Sequence, residues 1–185
     1  MAATSSKMLP LGTIAPEFKL TDAVSGKVYS LQDFRSNIAT VIMFICNHCP
    51  YVQNINDELA AFANDFKRKG ISFVGISSND VSQYPEDSPE LMKKVAEEIG
   101  YSFPYLYDET QEVARAYNAV CTPDFFIFDK DLKLVYHGQF DDSRPGNMMP
   151  VSGKDMQETL ENMLSGMPVY PVQKPSIGCS IKWKE

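Results

Sequence analysis

The run Thr40-Val41-Ile42-Met43-Phe44-Ile45 leads directly into Cys46-Asn47-His48-Cys49-Pro50 and then into a helical pattern. No other stretch constrains the fold as tightly. The run does not alternate, as suits a strand covered on both faces. From Val52 the apolar period changes to three and four. Val52, Ile55, Leu59, Phe62 and Phe66 share one helix face, and Lys67-Arg68-Lys69-Gly70 closes the helix. Cys46 is therefore expected at a strand-to-helix junction, where unpaired backbone N–H groups and the helix dipole favour a thiolate. Pro50 suits the first turn, where its missing N–H costs little.

Two cysteines separated by two residues on a first helical turn lie close enough to bridge. The first thiolate attacks a partner sulfur, and the second resolves the mixed disulfide. Half of a zinc site uses the same spacing but needs a second Cys/His pair. Cys121, Cys179 and His137 each stand alone in the sequence. The strand–Cys-x-x-Cys–helix context favours redox chemistry over a structural bridge or a metal.

Length and composition point to one soluble α/β domain over residues 1–185, with 44% hydrophobic and 22% charged residues. A formal charge of −7 argues against nucleic acid or an anionic membrane surface as partner. No apolar run approaches a membrane span. Met1–Pro10 lacks a signal peptide's hydrophobic core, so the expected location is cytoplasmic. Four cysteines are too few for a disulfide scaffold, and in a reducing compartment a Cys-x-x-Cys is catalytic or metal-binding more often than permanently bridged.

Residues 1–13 read as a loose leader. Phe18–Asp22 and Gly26–Ser30 read as two strands around a Ser-Gly turn, and Leu31–Phe34 as a helical turn. Ile71–Ser77 is a second buried strand, completing a βαβ unit. After a polar loop over Ser78–Asp87, Ser88-Pro89-Glu90 opens a helix that Gly100 stops. Asp108 and Gln111 form a capping-box signature for a short helix through Tyr117. Asp124–Asp129 and Leu132–Phe140 read as a hairpin around Asp131, followed by a loop over Asp141–Asn147. Ser152 and Asp155 can cap a last helix that ends at Gly166. The tail from Met167 to Glu185 carries Pro168, Pro171 and Pro175 and reads as irregular, with enough apolar character to dock on the body.

With the Cys-x-x-Cys turn and the Thr122-Pro123 strand start in place, residues 14–165 resemble the thioredoxin-like superfamily. Within it, the chain is most similar to the TlpA/ResA-type and AhpC/TSA-type redoxins, as the phrase Ala15-Pro16-Glu17-Phe18-Lys19-Leu20-Thr21-Asp22 also suggests. Ser176–Trp183 resembles a phrase from a sparsely characterised subgroup of the same superfamily. The resemblance implies a mixed central sheet flanked by helices, with an N-terminal β-hairpin and a strand–helix insertion. It implies a thiol–disulfide oxidoreductase without cofactor, acting on a protein or small-molecule disulfide or thiol and recycled by a redox partner. Cys46 would be the nucleophile and Cys49 the resolving thiol. Pro123 would be a cis-proline facing them, with the Thr122 backbone pairing with an extended substrate segment.

Several positions depart from the family pattern. Ile45 stands where tryptophan usually precedes the first cysteine, and Thr40 stands near the place of a buried acid. The peroxiredoxin phrase Pro-x-x-x-Thr/Ser-x-x-Cys is absent, since Ala39 and Met43 hold its places before Cys46. That sets a peroxiredoxin-type peroxidase aside.

The remaining candidates have two readings each. His48 either tunes the thiols, since an imidazolium nearby stabilises a thiolate, or is an exposed helix-turn histidine. Cys121 is either a third redox thiol or ligand, or a small core residue. Cys179 is either a resolving partner for Cys121 or Cys46, or a free tail thiol. Strand direction brings Asp141, Asp142 and Arg144 to the border of the site. There Arg144 holds an anionic group or is simply salt-bridged. Two rival functions stay open. One is a Sco-like copper- or zinc-binding module using Cys46, Cys49 and His137. The other is a non-catalytic redox sensor.

Overall fold

A computed structural model describes residues 3–185. In chain order its elements are β1 (Ala3–Ser5), β2 (Lys19–Asp22), β3 (Val28–Ser30), β4 (Thr40–Phe44), α1 (Pro50–Gln53), α2 (Asn56–Arg68), β5 (Ser72–Ser77), α3 (Pro89–Ile99), β6 (Tyr105–Tyr107), α4 (Glu112–Ala116), β7 (Cys121–Thr122), β8 (Asp124–Phe128), β9 (Leu134–Gly138), α5 (Lys154–Leu164) and β10 (Ile177–Ser180). A seven-stranded mixed sheet has the order β3-β2-β6-β5-β4-β8-β9, with β4, β5 and β6 parallel and the other pairs antiparallel. The non-alternating run has its explanation in β4. Val41, Met43 and Ile45 pack into one core layer with α2 and α5, while Ile42 and Phe44 pack into a second layer with Tyr117 and Phe126. No helix among the described residues is long and apolar enough to cross a membrane.

Three features differ from the sequence expectations. The leader is not loose: Ala3–Ser5 pairs with the tail strand, Ala3 opposite Cys179 and Ser5 opposite Ile177. Met1 and Ala2 of that leader lie outside the described residues. The tail is not wholly irregular, because β10 lies between β1 and β7 in a separate three-stranded sheet. The helix after the cysteines is interrupted. At Asn54 and Ile55 the bonding tightens, with the Ile55 N–H reaching the Val52 carbonyl at 3.0 Å, so α1 and α2 are separate segments. Both keep the apolar face, since Val52, Ile55 and Leu59 are buried.

Two helix starts depart in part from the expected caps. Asp141, not Ser152, accepts the Ser152 and Gly153 N–H groups ahead of α5, at 2.6 and 2.7 Å. Asp108 accepts from the Ala114 N–H at 2.9 Å, but Gln111 turns away to the Ser78 and Lys182 carbonyls, both at 2.7 Å. Strand β6, unanticipated because it is short and follows Pro104, links the β2–β3 hairpin to β5.

Candidate active site

Strand β4 delivers the chain to Cys46, and α1 begins at Pro50 with Cys49 as its N-cap residue. The residue at the helix terminus is therefore Cys49 and not Cys46 as the periodicity suggested, because the turn Cys46–His48 is held outside the helix by other bonds. The buried carboxylate of Asp87 accepts from the Asn47 N–H at 2.7 Å and the His48 N–H at 3.2 Å. It also accepts from Asn79 Nδ2 at 2.8 Å and faces His48 Nδ1 at 2.5 Å. Asn47 Nδ2 donates to the Glu86 carbonyl at 2.8 Å, and its Oδ1 accepts from the Tyr105 hydroxyl at 3.1 Å. The segment between the cysteines is thus pinned to the short 3₁₀ turn Pro85–Asp87.

Thr122 closes the other side. Its hydroxyl lies 3.3 Å from Cys46 Sγ, and its carbonyl accepts from the Cys49 thiol at 3.2 Å. The Thr122–Pro123 peptide is cis. All four cysteines are free and buried, Cys46 at 1% exposure and Cys49 at 0%. Each of Cys46 and Cys49 is the largest influence on the other's proton affinity. Cys49 pushes the Cys46 thiol well above its usual range, assisted by burial and by the Asp87 carboxylate. Cys46 lowers Cys49 to about 5 against the cost of burial, with further lowering from Cys179, Thr122 and the Val52 N–H. The proton is therefore held more tightly on Cys46 than on Cys49.

The other candidates fall in different places. His48 is not an exposed helix-turn residue: its side chain is 12% exposed and stacks on Tyr84 with centroids 5.0 Å apart. Its Nε2 is buried without a partner. Cys46, His48 and Asp87 lie within 4.8 Å of one another and are the metal-compatible grouping among the described residues. Its carboxylate is already engaged by four N–H groups, which makes it a hydrogen-bonded network.

His137 is not free to join the cysteines. Its Nδ1 accepts from the Leu9 N–H at 3.0 Å, and its Nε2 faces Asp124 at 3.1 Å. A Sco-like set of Cys46, Cys49 and His137 is therefore not assembled. Cys121 is a buried thiol pushed far up by burial and by Asp124. Arg144 lines a small cleft with Pro123, Tyr51 and Ile177, but its guanidinium donates to Asp141, Ser143 and Gln139 of its own loop. Asp87 had no sequence signal, being one acid in a polar loop. Cys179, by contrast, is brought to Cys49 by β10.

A family model described as the AhpC/TSA family matches residues 11–137. The chain is 27% identical to the thiol-disulfide oxidoreductase ResA of Geobacillus kaustophilus (strain HTA426), over 69% of this chain and 68% of that protein. The crystal structure of an uncharacterized conserved protein from Geobacillus kaustophilus is similar throughout, with 64% identity, a TM-score of 0.98 and coverage of 100% of this chain and 97% of that one. The thioredoxin domain of a thiol-disulfide oxidoreductase from Bacteroides vulgatus shares the fold, with a TM-score of 0.66 at 24% identity over 85% of this chain and 99% of that one.

Proposed function

The chain belongs to the AhpC/TSA family and is a thiol–disulfide oxidoreductase, and from that premise we propose that Cys46 and Cys49 are its reacting dithiol. The observation that carries this reading is that Thr122, the residue before the cis-proline, contacts both sulfurs, its hydroxyl at 3.3 Å from Cys46 and its carbonyl at 3.2 Å from Cys49. Transfer of the Cys46 proton to Cys49 leaves a Cys46 thiolate that accepts from the Thr122 hydroxyl. Cys46 then attacks a substrate disulfide, and the first substrate sulfur leaves and takes a proton. Cys49, losing its proton, attacks Cys46 Sγ and the second substrate sulfur leaves, so that a protein disulfide and two substrate thiols result. His48 and Asp87 position the turn between the cysteines, and a substrate segment meets Pro123 in the cleft it lines with Tyr51 and Ile177, since the Thr122 backbone is paired with β10 rather than open to substrate. A further redox partner restores the dithiol.

Replacing Cys46 with serine abolishes disulfide reduction on this reading, while Cys49→Ser accumulates a mixed disulfide through Cys46. Turnover in a disulfide-reduction assay and non-reducing mass spectrometry check both. Wild-type activity in Cys46→Ser would refute the assignment.

A further inference from the structure

The edge of β7 that precedes Pro123 is already occupied by the chain's own tail. β10 runs antiparallel to it, with Cys179 opposite Thr122 and Ser180 opposite Cys121. The approach is close: a Cβ at Gly178 would collide with the Thr122 carbonyl oxygen. The strand is held from both ends. The Ser6 N–H bonds the Ser176 carbonyl at 2.9 Å, the Ile181 N–H bonds the Val120 carbonyl at 3.0 Å, and the Lys182 N–H bonds Asn79 Oδ1 at 2.8 Å. In this position Cys179 lies opposite Thr122, whose carbonyl meets the Cys49 thiol, and is buried in the same cluster as Cys46 and Cys49. Cys49 thus lies between two thiols, Cys46 in its own turn and Cys179 from the tail.

We propose that Cys179 is a third redox thiol, which takes over the disulfide from Cys46–Cys49 by attacking Cys49. The proposal rests on the reading of Cys46 and Cys49 as the reacting dithiol. When that pair is oxidised, Cys179 gives up its proton and attacks Cys49 Sγ. The Cys49–Cys179 bond forms as the Cys46–Cys49 bond breaks, and Cys46 departs as a thiolate that takes a proton. One disulfide and one thiol become one disulfide and one thiol, with no further oxidant. Attack falls on Cys49 because Thr122 brings that sulfur and Cys179 together, its backbone pairing with Cys179 and its carbonyl meeting the Cys49 thiol. In the reduced protein burial and Cys49 hold the Cys179 thiol up at about 12, and oxidation of Cys49 removes the second of these causes. The exchange returns Cys46 to the thiol and moves the oxidising equivalent to the tail strand, where the recycling reductant collects it and so restores Cys49 for the next cycle.

The test uses the full chain, oxidised with diamide, quenched in acid, denatured, alkylated and digested without reduction. Mass spectrometry should find Cys49 joined to Cys179, with alkylatable Cys179 lost one for one as alkylatable Cys46 is regained. Cys46→Ser should form the Cys49–Cys179 bridge alone, and Cys179→Ser only Cys46–Cys49. A wild-type protein bridged at Cys46–Cys49 with Cys179 fully alkylated would overturn the relay while leaving the dithiol reading intact. Cys179 bridged to Cys121 would also overturn it. A protein with no bridge at Cys46 or Cys49 would overturn both readings.

Discussion

Asp87 does at the residue scale what no local motif could announce. One carboxylate, fully buried, gathers two backbone N–H groups, an amide and an imidazole, and so fixes the two residues between the cysteines. Hydrogen bonds to an ionised acceptor are among the stronger ones a protein makes, which suits a turn that must not drift. The same carboxylate disfavours charge on Cys46, and the donors around Cys49 favour charge there. This asymmetry has a pH signature. Cys49 falls to about 5 in the folded, reduced protein from an ordinary 9.0. A depressed acid stabilises the fold fully above its unfolded pKa, and that stability is lost as pH falls toward the folded value. The urea midpoint of the reduced protein should therefore drop between pH 9 and pH 5 more than that of the oxidised protein, where Cys49 carries no titratable proton. Equal slopes for the two forms would show that Cys49 is not the depressed thiol. The raised thiols of Cys46, Cys121 and Cys179 contribute below their unfolded pKa and lose that contribution only as pH rises above it, outside this window.

Among the elements, β10 matters most for the site. It pairs with the two residues of β7, and Thr122 of that short strand touches both reacting sulfurs. Glycine at 178 is what lets the two backbones meet. Gly178→Val should force β10 off this edge at a cost of about 1–3 kcal/mol, the usual range for overpacking. With the strand displaced, alkylation of Cys46 in the native reduced protein should quicken several-fold. An unchanged alkylation rate in a folded variant would mean that the tail does not cover the thiols. Helices α1 and α2 carry a related lesson. The apolar period was legible from Val52 to Phe66, yet the break at Asn54 and Ile55 was not. Gln53 donates to the Asn47 carbonyl at 2.9 Å, and Asn54 to Ser143 at 3.4 Å. Partners from outside the helix therefore shape the turn.

Across the whole molecule, β1 and β10 come together beside the active site. β1 from the N-terminal region and β10 from the tail form one sheet with β7, while the larger sheet supplies β4 and β8 beneath it. A Cys49–Cys179 bond would close a loop of about 130 residues, which the chain-entropy estimate equates with about 5 kcal/mol of stabilisation. The Cys46–Cys49 bond closes only a tight turn. Oxidised wild-type protein should consequently unfold at a higher urea concentration than oxidised Cys179→Ser. Coincident unfolding curves, with the bridge verified in the wild type, would show that strain offsets the loop closure.

The sequence alone determined the elements whose signals are local. The non-alternating β4 run, the change to helical period, the Ser88-Pro89 helix start and the β8–β9 hairpin were all legible, because each depends on neighbours a few residues away. So were the Cys46–Cys49 spacing and the family that it and Pro123 suggest. Tertiary structure decided what depends on distant partners. It placed Asp87 under the redox turn and committed both ring nitrogens of His137. It ordered the N-terminal leader and laid Cys179 against Cys49. Burial and long-range hydrogen bonding set these outcomes, and a proton on Cys46 or Cys49 is governed by the groups that folding brings within reach.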